Sequence, residues 1–129
     1  MSNGYRATTP EALEYLTGLI HDAWFSLADV ARTPERREVT IPLVHGAEKR
    51  GRFGWRSTVM GTMPAGVLVV RNVRDIEVDD QARVGDYEVD RVVVIENHDA
   101  RVLQLHATIP LRIDFYVDDI DVEFVPPRN

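Results

Sequence analysis

Residues 103–117 read LQLHATIPLRIDFYV, and this stretch decides the fold. Leu103, Leu105, Ala107 and Ile109 alternate with Gln104, His106 and Thr108, and Leu111, Ile113, Phe115 and Val117 keep the same phase beyond Pro110. Successive strand side chains point to opposite faces, so this period of two indicates β-structure with one buried face, not a helix of period 3.6. Proline cannot donate to a ladder, so Pro110 predicts either one long bent strand or two strands sharing a sharp corner. At Asp118-Asp119 the phase flips to Ile120, Val122 and Phe124, which requires a bulge or turn, and Pro126-Pro127 ends the structure.

Upstream, Asn97–Ala100 carries turn chemistry. Tyr87 and Val89 alternate, but Val92–Ile95 fill both faces, which predicts a bulge near Asp90 or cover on both sides. Asp79–Asp86 reads as a turn, and Val67–Val73 as a central strand extended by Ile76 and Val78. Phe53, Trp55, Ser57 and Val59 form one face of a strand broken by Gly61, Pro64 and Gly66, after an exposed turn or loop over His45–Gly51. Val39, Ile41 and Leu43 belong to a half-buried strand whose Pro42 suits an edge, and Phe25–Glu38 is a connector.

Before the strands lies one helix. Thr9 is an N-cap, Pro10 fits the first helical position, and Glu11 and Glu14 lie near the positive end of the dipole. Leu13, Leu16, Ile20 and Ala23 form its apolar stripe, so the helix is predicted from about Pro10 to Asp22 or Trp24. Gly18 either weakens it or marks a close packing partner. Short links between strands favour antiparallel pairing. The expected fold is α+β: the N-terminal helix (about 10–24), then a mainly antiparallel β-sheet of about six to eight strands (about 38–125), curled into a sandwich or partial barrel, all in one domain of residues 1–129.

The 129 residues are ordinary in composition for a globular chain, with 44% hydrophobic and 28% charged residues. There is no cysteine, which excludes disulfides, thiolate metal sites and cysteine nucleophiles. The longest uninterrupted apolar run is four residues, as at Val67–Val70, against roughly 20 for a membrane span. With no apolar signal stretch at the N-terminus either, the expectation is a soluble cytoplasmic chain with no membrane partner.

Net charge is −6, but it is split. Residues 32–56 hold seven bases and three acids, a local +4, while residues 75–123 hold 14 acids and four arginines, a local −10. A chain split this way can attract itself, basic patch to acidic patch, either within the domain or between copies, though the plainer reading is that wet strand faces simply carry charge. Aromatic Trp24, Phe25, Phe53 and Trp55 stand near Lys49, Arg50, Arg52 and Arg56, a pairing also used on nucleic acid, but the net charge makes nucleic acid an unlikely partner. The plainer reading docks Trp24 and Phe25 at the helix end and packs Trp55 in the core.

No catalytic set emerges. His21-Asp22 matches the metal-binding doublet of phosphohydrolases in two letters only, without the further helices that supply their other ligands. Neither His45 nor His98 adds a ligand spacing. His106 faces away from Leu103, Leu105 and Ala107, where it is a candidate general base if that face lines a cavity. Asp118, Asp119, Asp121 and Glu123 lack the glycine and spacing of a calcium loop, and Asp119, Asp121 and Glu123 read as the wet face of a strand. No phosphate-binding glycine motif or nucleophile elbow is present, so no cofactor, metal or catalytic residue is assigned.

The leading expectation is a small non-catalytic binding or interaction domain that self-associates as a dimer, with room for a further protein partner. A second is a ligand-binding protein or enzyme using the concave sheet face, with His21, Trp24, Trp55 and His106 as lining. A third is an acidic, immunity-type protein that neutralises a basic partner.

Overall fold

The computed structural model describes residues 4–128. Strand β1 (Tyr5–Ala7) precedes helix α1 (Pro10–Ile20), which begins as the sequence indicates: the Thr9 hydroxyl accepts the Ala12 N–H at 3.1 Å, and Pro10 opens the first turn. Leu13, Leu16 and Ile20 are buried. The helix stops short of the expected Asp22–Trp24 because His21 already leaves the helical backbone (ψ 136) and Asp22 is left-handed (φ 73), which an aspartate tolerates better than most residues; the Ala23 N–H donates to the Ile20 carbonyl at 3.0 Å and closes this turn into a strand.

Nine more strands follow: β2 (Trp24–Ser26), β3 (Ala31–Thr33), β4 (Glu38–Arg50), β5 (Arg56–Val70), β6 (Val73–Asp80), β7 (Asp86–Glu96), β8 (Arg101–Ala107), β9 (Leu111–Val117) and β10 (Val122–Val125). They form one sheet in the order β1-β10-β5-β4-β2-β7-β8-β9-β6, with β3 also paired to β4. Every pairing among the described residues is antiparallel. The order has two ends, β1 and β6, so the sheet is not closed into a barrel. The count of ten exceeds the expected six to eight because β1, β2 and β3 are three residues each, too short to display an alternation.

Several local expectations hold. A register shift between Val89 and Arg91 places the bulge at Asp90, and Asn97 donates to the Ala100 carbonyl at 2.9 Å in the expected turn. Pro110 separates two strands, β8 and β9, instead of bending one. Others are corrected. His45–Gly51 is not a loop: β4 runs through it to Arg50, opposite an unbroken β5 that passes Gly61, Pro64 and Gly66. A side chain at Gly66 (φ 144) would lie 2.6 Å from the Phe124 ring, so this glycine admits a neighbour where a break was expected. Pro42 lies on an inner strand, yet in the gap between Thr40, opposite Ala31, and Val44, opposite Trp24, where no third strand requires its N–H.

The strand expected over Val67–Val73, with its extension to Ile76 and Val78 past an Arg74-Asp75 interruption, is divided earlier, by a corner at Arg71–Asn72. Asn72 is left-handed (φ 60), Arg71 N–H donates to the Asp121 carbonyl at 2.9 Å, and Asp118 N–H donates to the Asn72 carbonyl at 3.2 Å. The β5–β10 pair thus continues round the bend as β6–β9. Asp121 is buried here, not on a wet strand face, and takes two hydrogen bonds from Arg6, at 2.8 Å and 2.6 Å. Arg71 reaches Glu123 at 2.8 Å and Glu38 at 3.4 Å, and although burial pulls its pKa down, these acids with Asp121 hold it above its ordinary value.

Helix α1 packs on β1 and β10 at one end of the order and on β7 beyond its middle, so the sheet curls around the helix. Its buried leucines join Phe25, Tyr87, Ile113, Phe115 and Val122 in one core. The Thr17 hydroxyl clamps the helix to the strand, donating to the Val92 carbonyl at 3.1 Å and accepting the Val92 N–H at 3.2 Å.

Two glycine replacements test this description with opposite signs. Nothing lies within 4 Å of a side chain added at Gly18 on the exposed helix face, so Gly18→Ala is expected to stabilise by up to about 1 kcal/mol. Gly66→Ala is expected to destabilise by about 1–3 kcal/mol through backbone strain and collision with Phe124. Urea unfolding of both variants reads the two changes directly.

Candidate functional site

Strands β4 and β5 pair from Val39 opposite Val70 to Arg50 opposite Arg56, but the body covers only part of that length. The last cross-strand partners from the body are Trp24 for Val44 and Val125 for Val67. Beyond them five consecutive pairs, from Gly46 with Met60 to Arg50 with Arg56, have only each other. At about 3.4 Å per residue this hairpin projects roughly 15–20 Å as a two-stranded arm. Register shifts at Leu43/Val44 and Val44/Gly46 mark its foot, where irregular pairing bends the ribbon. Toward the tip both faces of β4 are charged, Lys49 on one and Glu48 and Arg50 on the other, so neither face has a continuous apolar stripe to bury.

At the tip, Gly51 N–H donates to the Trp55 carbonyl at 2.6 Å, and Phe53 is turned outward with a left-handed backbone (φ 62). Phe53 is 96% exposed and Trp55 75%. The expectation that Trp55 packs in the core is therefore wrong: it belongs to a turn that touches no core. Residues 45–63 contain Lys49, Arg50, Arg52 and Arg56 against Glu48, a net +3, so the rest of the −6 chain carries −9.

Trp24 lies at the other end of the arm, in β2 opposite Val44 and Glu88. Its indole passes beneath Gly46, where a side chain would come within 2.9 Å of Nε1, and that nitrogen is buried without a hydrogen-bond partner. His21 is close by, with Nδ1 3.1 Å from the Asp90 carbonyl and Nε2 3.3 Å from the Asp22 carboxylate. It borders a cleft of about 270 Å³ with His45, Ala65 and Phe124, and a neighbouring cleft of about 440 Å³ shares Asp22 and His45 and adds Thr58 and Glu88. Among the described residues no three of the histidines and acids are arranged to hold a metal ion.

His106 is elsewhere, on the opposite face of β8 from buried Leu103 and Leu105, as the alternation requires. It borders a separate cavity of about 350 Å³ with Asp79, Gln81, Thr108 and Arg112, and its Nε2 is 3.1 Å from the Gln104 amide oxygen. Burial, then the nearby Arg91 and Arg112, lower its pKa below the ordinary histidine value. Of the four lining candidates, the fold thus gathers His21 and Trp24 at the foot of the arm, carries Trp55 to the tip and leaves His106 on another face.

Sequence reasoning missed one apolar recess. Between α1 and β7 a groove of about 350 Å³ is walled by Pro10, Leu13, Thr17, Val92 and Val94, with Glu14 and Arg91 at its rim. Its one advance signal was the crowding of Val92–Ile95, which supplies a β-branched floor beside the bulge. No protein-family model matches the chain, and no curated protein or solved structure matches it either.

The His106 environment has a thermodynamic consequence. With its folded pKa depressed, the unfolded chain takes up the proton first, so stability present above about pH 6.5 falls as pH drops through the folded value. Replacing His106 with Gln is expected to flatten this acid-side slope in urea unfolding between pH 7 and 5. NMR titration of the native ring is expected to give a midpoint below 6.5.

Proposed function

We propose that the protein is a non-catalytic interaction domain that self-associates through the β4–β5 arm. One observation carries the reading: an uncovered hairpin of net +3, tipped by exposed Phe53 and Trp55, is attached to a body of net −9. Large aromatics in water at the end of a ribbon bury nothing in the monomer, and tryptophan in particular anchors interfaces. Opposite charge on arm and body draws copies together and opposes approach to phosphate polymers, since the −9 body accompanies the arm to any nucleic acid.

The test is the mass of the native protein in solution, by light scattering and by native mass spectrometry. The wild-type chain is expected to be a dimer that weakens as salt is raised, because the attraction is partly between exposed charges. The double replacement of Phe53 and Trp55 by serine is expected to be monomeric with an unchanged melting temperature, since neither side chain touches the core. A wild-type monomer at high concentration overturns the reading. Reproducible added mass on such a monomer would favour a ligand in the clefts at the arm's foot, and salt-sensitive capture of a basic protein would favour the partner-neutralising alternative.

A further inference from the structure

Resting on that reading of the arm, we propose that its aromatic tip seats in the groove between α1 and β7 of a second copy. The tip residues are exposed in their own chain, so whatever covers them comes from another molecule. An aromatic anchor needs an apolar recess, and the α1–β7 groove offers one walled by Leu13, Val92 and Val94. Its volume, about 350 Å³, suits one aromatic side chain and is at the small end of binding pockets, roughly 300–1,000 Å³. The cavity beside His98 and that beside His106 are edged instead by charged groups such as Arg74, Asp118, Asp79 and Arg112.

Charge selects the same place. Helix α1 carries Glu11 and Glu14 and no basic residue, while Arg91 across the groove already faces Asp90 at 3.4 Å. The rim is therefore negative where Lys49 and Arg50 would arrive just behind the tip. A two-fold pair lets each copy give one arm and receive one, which closes the assembly as a dimer and leaves no groove open for further growth.

The chain contains a single lysine, Lys49, and this makes the docking site readable without mutation. A zero-length carbodiimide joins a lysine amine only to a carboxylate in direct contact. Applied to a mixture of ¹⁴N- and ¹⁵N-labelled native protein, it is expected to give an intermolecular Lys49 to Glu14 or Glu11 link, identified by peptide mass. Glu14→Arg, on the exposed helix face, is expected to weaken dimerisation at least tenfold, and adding Lys49→Glu to restore it. Links from Lys49 only to Asp75, Glu77 or Asp79 on the free β6 edge would move the acceptor there and overturn this proposal while leaving the arm reading intact, as would a dimer indifferent to Glu14→Arg. A dimer that survives loss of both tip aromatics, or a wild-type monomer, removes the two together.

Discussion

The corner at Arg71–Asn72 and Asp118–Asp121 is the constraint on which the architecture depends. A ten-stranded antiparallel sheet with one helix has too little helical surface to cover its apolar face, so it must cover that face with itself. The ribbon made by β5 with β10 does this by bending into β6 with β9, and the bend places main-chain groups and a carboxylate in the interior. Backbone bonds between the two crossing turns satisfy the former, and Arg6 and Arg71 answer the Asp121 charge. Burying an unpaired carboxylate costs far more than burying a paired one, so the two arginines from separate segments make the bend permissible. They also fix its register, since β1, the β5 end and β10 must all arrive together for the carboxylate to be neutralised.

The bend sets how much sheet there is to share. Strands β4 and β5 have 13 and 15 residues, whereas β2, which joins the two halves of the sheet, has three. The folded body can match only the first part of the long hairpin, and the remainder has no facing layer. An isolated two-stranded ribbon is marginal in water. Here it grows from a clamped foot, where Trp24 fills the space beneath Gly46, and the charged residues along it discourage indiscriminate edge pairing. The arm is thus a product of length mismatch, and its tip aromatics are the part that this mismatch leaves unsatisfied.

What could be read from the sequence, and what could not, follows from the same physics. The alternation over residues 103–117, the bulge at Asp90 and the Thr9-Pro10 helix start are local consequences of side-chain period and capping, and all three are in the structure. The three-residue strands β1–β3 are made by their partners, not by their own pattern, so nothing local announced them. Residues 45–63 misled for the opposite reason. Their glycines resemble punctuation, but an uncovered ribbon has no buried face to lose and accommodates them within a strand. Trp55, alternating with Phe53, Ser57 and Val59, suggested core, because the pattern records which residues share a face and not whether anything lies opposite. His21 and Trp24 both lie near the arm's foot, because the helix ends at Ile20, before the Ala23 of its apolar stripe, and the chain turns there into β2.

Net charge was the least informative guide to partners, because it is a sum taken without regard to position. A chain at −6 looks uniformly acidic, and on that ground a basic aromatic stretch is easily discounted. Once the fold separates the two signs, a +3 arm standing off a −9 body is a dipolar object with its cationic end at the point of greatest reach. In the proposed reading the larger charge of the body would oppose polyanions within a few Debye lengths, roughly 8 Å each at physiological salt. Such an object would favour surfaces that are negative near the tip and tolerant of a negative body further back. In the proposed dimer, a second copy in two-fold exchange would meet the first condition at the α1 rim, and would meet the second because each body would be screened by the other's arm. The aromatic tip then supplies what long-range charge cannot, a short-range contact that holds only where the recess is apolar.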